Sequence, residues 1–191
     1  FKIKKTPKDF LKDSNIIIWT TTPWTIPANR ALAFNSGIEY SLVEINNLEN
    51  FEEKKIIVAT NLLDSVVKAC GIKKFEILKT FNGAEFEGTI CTHPFQSLGF
   101  NFDVPMLDAR FVTLEQGTGI VHCAPSHGPD DFNLCLKHNI PSKYTVDNSG
   151  YYTNEIPFFS KTHVFKADPI VIDKLKELKK LLKNDKLQHS Y

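Results

Sequence analysis

A histidine, a pair of aspartates and a run of three threonines are the side chains whose types and spacing suit hydrolytic chemistry in this chain. His122 stands nine positions before Asp131, with Asp130 adjacent, and Thr20, Thr21 and Thr22 are consecutive. An imidazole can line a pocket or move a proton near neutral pH. A carboxylate can anchor an ammonium through a charge-assisted hydrogen bond. Hydroxyls and unpaired backbone N–H groups can hold a water or an ester oxygen and steady a developing oxyanion.

The elements that must position these groups follow from local chemistry. Gly117-Thr118-Gly119 suits a tight turn, because glycine accepts a positive φ without a Cβ clash. Ile120 to Ala124 reads as a short strand that Pro125 ends, and Gly128-Pro129 restarts the backbone as a helix with proline at its first position. Asp130 and Asp131 then fall in the first turn, where the macrodipole favours a carboxylate, and Phe132, Cys135 and Leu136 follow at helical spacing. A strand end carrying His122 thus runs into a helix start carrying Asp131. Asn15 to Thr22 is β-branched almost throughout and reads as a buried strand, stopped by Pro23 and Pro27 so that Thr20 to Asn29 becomes an irregular loop. On a strand, Thr20 and Thr22 share one face and Thr21 takes the other.

Elsewhere, residues 1–14 form a basic, polar lead-in, and Arg30–Phe34, Ile38–Ile45, Lys55–Ala59, Phe75–Thr80, Glu85–Thr92, Phe111–Glu115 and Thr162–Lys166 read as strand segments. Leu62, Leu63, Val66, Val67 and Cys70 recur at helical spacing between Thr60, a candidate N-cap, and Gly71, a candidate terminator. Asp168-Pro169 opens a C-terminal helix expected over 168–184, with Ile172, Leu175, Leu178, Leu181 and Leu182 on one side. Short strands outnumber helices, which predicts an α+β fold on a closed or nearly closed β-barrel with peripheral helices, as one domain over 1–191. Fifteen Phe against one Met and two Trp make the expected core largely aromatic. A net charge of +1 excludes a uniformly basic, polyanion-binding surface, so an RNA ligand would need a local patch. The Lys-rich run Lys174 to Lys186 reads as the solvated face of the last helix, or else as a nucleic-acid contact. No apolar run approaches the length of a membrane span, the start has no signal-like core, and four widely spaced cysteines read as reduced cytosolic thiols.

Bland alternatives exist for each candidate. Threonines are good strand formers, a strand histidine can be purely structural, and paired aspartates can simply balance a helix dipole. His122, His127, Cys123 and the aspartates offer donors for zinc, but the histidines are five apart across Pro125 and match no helical ligand pattern. Gly117-Thr118-Gly119 lacks the following Gly-Lys-Ser/Thr of a phosphate loop, and no G-x-S-x-G elbow supplies a serine nucleophile.

Two stretches carry a family resemblance. Trp19 to Ala31, WTTTPWTIPANRA, resembles the threonine-rich peptide of isoleucyl-tRNA synthetases, and Gly117 to Phe132 resembles the second block of the same enzymes' editing domain. His93-Pro94-Phe95 and Gln188-His189-Ser190-Tyr191 are weaker echoes in the same order, and Pro23-Trp24 after the threonines favours the isoleucyl branch over valyl and leucyl relatives. The resemblance implies an editing domain cut from a longer synthetase. It lacks the core's ATP-binding HIGH and KMSKS signatures, so this piece would activate no amino acid. It implies hydrolysis of mischarged tRNA(Ile), chiefly valyl-tRNA(Ile), with valyl-adenylate as a further candidate, by a cytoplasmic, monomeric protein that meets the aminoacylated 3′ end of the tRNA.

It assigns Asp131 to the substrate ammonium, His122 to the pocket wall, and Thr20, Thr21 and Thr22 to the ester and attacking water. Asn29 and Trp24 would meet the terminal adenosine, and Gly117, Thr118 and Gly119 would line the substrate site. No cofactor belongs to this domain; ATP, magnesium and any zinc would serve the rest of the enzyme. A hydrolytically silent module that binds the tRNA end and a metal-dependent hydrolase are the competing readings.

Overall fold

The computed structural model describes residues 1–46 and 48–185. The echo at Gln188 to Tyr191, and Lys186, lie outside the described residues. The elements in chain order are β1 (Ile3–Lys5), β2 (Asn15–Ile16), a 3₁₀ stretch over Pro23–Ala28, β3 (Ala31–Phe34), β4 (Glu39–Ile45), β5 (Lys55–Ala59), α1 (Leu63–Cys70), β6 (Phe75–Asn82), β7 (Ile90–Thr92), β8 (Asp103–Asp108), β9 (Val121–Cys123), α2 (Pro129–Lys137) and α3 (Ala167–Glu177).

The expected closed barrel is not formed. The strands make two mixed sheets, one ordered β1-β7-β8-β3-β9 and one ordered β2-β5-β4-β6. Closure would require a ladder between the sheet ends. Among the described residues β6 pairs only with β4 and leaves seven of its eight residues exposed, while β9 is three residues long and pairs only with β3. Short strands with bulges at β1 and between Leu42 and Val43 bend the sheets without joining them.

β3 explains how the site is seated. All four of its residues are buried, so it has two working faces. Leu32 and Phe34 pack into an aromatic core with Tyr40, Phe81 and Phe86. Ala31 and Ala33 face the other way, towards Leu134 and Cys135 of α2 and Cys123 of β9. Their small side chains let the helix approach closely. A third cluster, built from Ile26, Phe95, Phe100, Tyr152, Phe159, Val171 and Leu175, lies beneath the 3₁₀ stretch.

Several local expectations change. Only Asn15 and Ile16 of the expected Asn15–Thr22 strand pair with a neighbour, in parallel with β5. The lead-in contributes β1, which pairs with β7. Phe111–Glu115 is irregular, and Thr162–Lys166 is mostly a 3₁₀ turn over Val164–Lys166. In its place β8 sits between β7 and β3 despite carrying Pro105, which sequence rules assign to an edge.

The C-terminal helix stops at Glu177 rather than 184, and Lys179 adopts φ 55°. Lys180 then pairs with Glu53 at 3.0 Å, and the Leu181 N–H donates to the Asn50 carbonyl. Contacts with the 50–53 segment thus win over helix propensity. α1 and the left-handed Gly71 that ends it match the sequence, although Thr60 caps nothing and its hydroxyl meets that of Ser41. All four cysteines are free thiols. No helix among the described residues is long and apolar enough to cross a membrane.

Candidate active site

The threonine loop and β9 meet through His122. The His122 ring is buried and its Nε2 lies 3.0 Å from Thr25 Oγ1. The Thr25 hydroxyl donates to the Thr22 carbonyl at 2.9 Å, so its remaining lone pairs accept from His122 Nε2–H. That assigns the imidazole tautomer: Nε2 carries the proton and Nδ1 is the acceptor. Asn29 Nδ2 stands 3.5 Å from Nδ1 while donating to the Ala31 carbonyl at 2.8 Å. Burial, with a smaller contribution from His127, depresses the His122 pKa to about 4. At neutral pH His122 is therefore uncharged, with both nitrogens facing protein partners and its ring plane held.

Thr20, Thr21 and Thr22 do not continue the strand. The Thr22 N–H donates to Thr20 Oγ1 at 3.0 Å, and the hydroxyls of Thr21 and Thr22 lie 3.4 Å apart. This is a turn stitched by its own side chains. Thr21 is exposed and its two neighbours are half-buried.

Asp131 lies where the sequence placed it, in the first turn of α2. Its Oδ2 accepts from the Ala124 N–H at 2.8 Å, just past the end of β9. Burial raises its pKa, with the Ala124 hydrogen bond opposing and Asp130 reinforcing the shift. Among the described residues no hydrogen bond joins His122 and Asp131. The histidine works on the face of β9 opposite α2, and the carboxylate reaches the strand end from the α2 side.

The remaining candidates are distributed. Asn29 is fully buried, and its Oδ1 has no hydrogen-bond partner among the described residues, which is rare for a buried amide. Trp24 is half-buried over the third cluster and meets His127 edge-on, with ring centroids 4.8 Å apart, a packing role.

Gly117 and Gly119 have φ of 84° and 75°. Thr118 is buried and its hydroxyl donates to the Ile17 carbonyl at 2.7 Å. A Cβ at Gly117 would meet the Trp19 side chain at 3.6 Å, so this turn packs against the segment leading into the threonines. Thr25 was not singled out from sequence, although it lies inside the quoted motif. Its one signal was its place three residues after Thr22, between two prolines.

No group of three or more His, Cys, Asp and Glu side chains among the described residues could hold a metal ion. His127 Nε2, a nominal zinc donor, is 2.9 Å from Thr145 Oγ1. Two hollows, of about 710 and about 390 Å³, lie elsewhere, the first beside Glu44, Lys54 and Lys74 and the second beside Arg30, Phe102 and Lys143.

This architecture is similar to that of aminoacyl-tRNA synthetase editing domains. The structure titled GlLeuRS-CP1 superposes with a TM-score of 0.68 at 14% identity, covering 92% of this chain and 85% of its own. The editing domain of P. falciparum cytosolic leucyl-tRNA synthetase superposes at 0.55 and 16%, covering 91% of this chain and 68% of its own. A family model described as "Leucyl-tRNA synthetase, editing domain" matches residues 12–184, and the chain belongs to that family.

Within it the sequence lies on the isoleucyl branch. The isoleucine–tRNA ligase of Pelagibacter ubique is 59% identical over 191 residues, all of this chain and 21% of that protein. Those of Haemophilus influenzae (strain 86-028NP) and Gluconobacter oxydans are 43% and 42% identical, over 92% and 94% of this chain and 18% and 19% of theirs. The chain spans about a fifth of the length of these curated relatives.

Proposed function

We propose that this chain hydrolyses the ester of mischarged tRNA(Ile), chiefly valyl-tRNA(Ile), releasing valine and free tRNA. The observation that carries this reading is the His122–Thr25–Thr22 linkage, which ties a neutral, immobilised imidazole to the threonine loop. A ring held in this way serves as a wall. Its Nε2 donates and its Nδ1 faces an amide, so neither nitrogen is placed to take a proton from water. Such a wall can exclude a larger side chain by contact.

That is the discrimination a synthesis site cannot supply. One methylene in an apolar pocket is worth only about 1–3 kcal/mol, a magnitude for which isoleucyl-tRNA synthetases are themselves the standard case. Asp131 accepts from the Ala124 N–H through Oδ2 and meets the Cys123 side chain, and its carboxylate is assigned to the substrate ammonium. The Thr21 and Thr22 hydroxyls, near the surface and close together, are suited to hold the ester and the attacking water. Among the described residues no titratable side chain hydrogen-bonds to these hydroxyls, so a vicinal ribose hydroxyl of the substrate is the natural assistant. Asn29, buried against His122, positions the wall rather than the adenosine.

The test is single-turnover deacylation of valyl-tRNA(Ile) and isoleucyl-tRNA(Ile) by the full-length protein that carries this chain. Valyl ester should be cleaved and isoleucyl ester spared. Asp131→Ala should slow cleavage by about 10- to 100-fold, the worth of one charge-assisted hydrogen bond. An unchanged rate removes Asp131 from the site. Retained tRNA binding with no hydrolysis of either ester would favour the silent binding module.

A further inference from the structure

Among the described residues the 3₁₀ stretch Pro23–Ala28 joins no strand ladder, and Pro23 and Pro27 bring no N–H donors. At its ends the Thr25 N–H donates to the Thr22 carbonyl, and the Asn29 N–H to the Ile26 carbonyl. Its place is set by side chains far away in sequence. The Trp24 N–H donates to Asp168 Oδ1 at 2.8 Å, across 144 positions. The Trp24 carbonyl accepts from the Tyr152 hydroxyl. The Ile26 carbonyl is met by His93 Nε2 at 3.0 Å. His93 Nδ1 accepts from the Phe95 N–H at 3.1 Å, so Nε2 is the protonated nitrogen and donates.

Asp168 is the telling member. Asp168 is the second residue of α3, where a carboxylate would be expected only to complement the helix dipole. The carboxylate is turned instead onto the peptide N–H two residues beyond Thr22 and one before Thr25. Of the residues on α3, it is the one with a side-chain hydrogen bond to the threonine loop.

We propose that Asp168 is a positioning residue of the active site. It fixes the Trp24 peptide, and so sets the Thr22 carbonyl and Thr25 hydroxyl that hold the His122 ring. Tyr152, which donates to the Trp24 carbonyl in the next peptide unit, completes the clamp. The C-terminal helix is thereby part of the editing machinery without touching the substrate. This rests on the hydrolytic reading above for its effect on rate, but the clamp itself is a matter of local order.

Asp168→Ala and Asp168→Asn are compared in the full-length protein, since asparagine keeps an acceptor oxygen in place. Asp168→Ala should lower kcat for valyl-tRNA(Ile) hydrolysis by about tenfold, the scale of a misplaced catalytic constellation, and leave KM within about twofold. Asp168→Asn should restore most of kcat. Hydrogen exchange of a peptide covering Trp24 should quicken in the alanine variant and return to normal in the asparagine variant. If Asp168→Ala does not fold, Tyr152→Phe, which removes only a hydroxyl, should lower kcat in the same way. An unchanged kcat in Asp168→Ala, or in Tyr152→Phe where that variant stands in, overturns the proposal whatever the exchange shows. If the unmutated protein cleaves neither ester, the hydrolytic reading fails, and the exchange comparison alone then upholds or overturns the clamp.

Discussion

The four-stranded sheet and the threonine loop are held by different kinds of contact. In the sheet, β4 is laddered on both sides, and Ile56, Ile57, Val58 and Ala59 of β5 are fully buried. Support is spread over many dispersion contacts and a continuous backbone ladder. The loop between Trp19 and Asn29 has no such ladder; Ile26 and Ala28 are buried in the third cluster, but Thr20 to Trp24 are not. Its polar groups are held by single hydrogen bonds with His122, Asp168, Tyr152 and His93. Losing one contact in the sheet lowers the stability of the whole while the remaining contacts preserve local shape. Losing one in the loop should shift site atoms at little global cost.

Ile57→Ala should have the largest effect on stability, about 2–5 kcal/mol for a large-to-small change in a tight core. Denaturant unfolding measures it, and deacylation per folded molecule should stay within about twofold. A tenfold loss there would break the contrast, because the sheet would then be shaping the site directly.

Acid should strain the loop side next. His122, which titrates near 6.5 when unfolded, is depressed to about 4, and His93 to about 3, each chiefly by burial. Between those values and 6.5 the unfolded chain binds more protons than the folded one, so stability falls as pH drops through that window. For His122 the loss by pH 4 is roughly 3 kcal/mol. Urea midpoints at pH 7, 5 and 4 would show it. His122→Gln should flatten the profile, and an unaltered profile would mean that the ring is not buried neutral.

Thr25→Val keeps the shape and removes the hydroxyl, leaving His122 Nε2–H without its acceptor. It should cost about 1–2 kcal/mol in stability and about tenfold in deacylation rate. A larger stability loss with no change in rate would reverse the contrast. Lys180→Ala, which removes a partly exposed ion pair with Glu53, should cost under about 1 kcal/mol and leave activity alone. Thermal unfolding in low and high salt tests that.

Much of the candidate site was legible because its rules are local. Gly128-Pro129 starts α2 with Asp131 in its first turn, and His122 lies on β9, as the sequence placed them. Thr25 and Asp168 were not legible in their roles. A threonine between prolines and an aspartate at a helix start each have an ordinary local explanation. Only their partners, 97 and 144 positions away, reveal what they hold. The resemblance assigned Asn29 to the terminal adenosine, and its complete burial depends on how β3 and β9 pair beside it.

The fold divides in the same way. Composition and spacing by themselves determined short strands and an aromatic core, and the resemblance of two motifs pointed to the editing-domain family, because propensity, turn chemistry and motif identity are properties of neighbouring residues. The tertiary structure decided that the strands form two sheets rather than a barrel, that β8 is central despite Pro105, and that α3 ends at Glu177. Each of those outcomes is a competition among partners distant along the chain. Local preference is worth less than about 1 kcal/mol per residue and yields to the burial and pairing available in three dimensions.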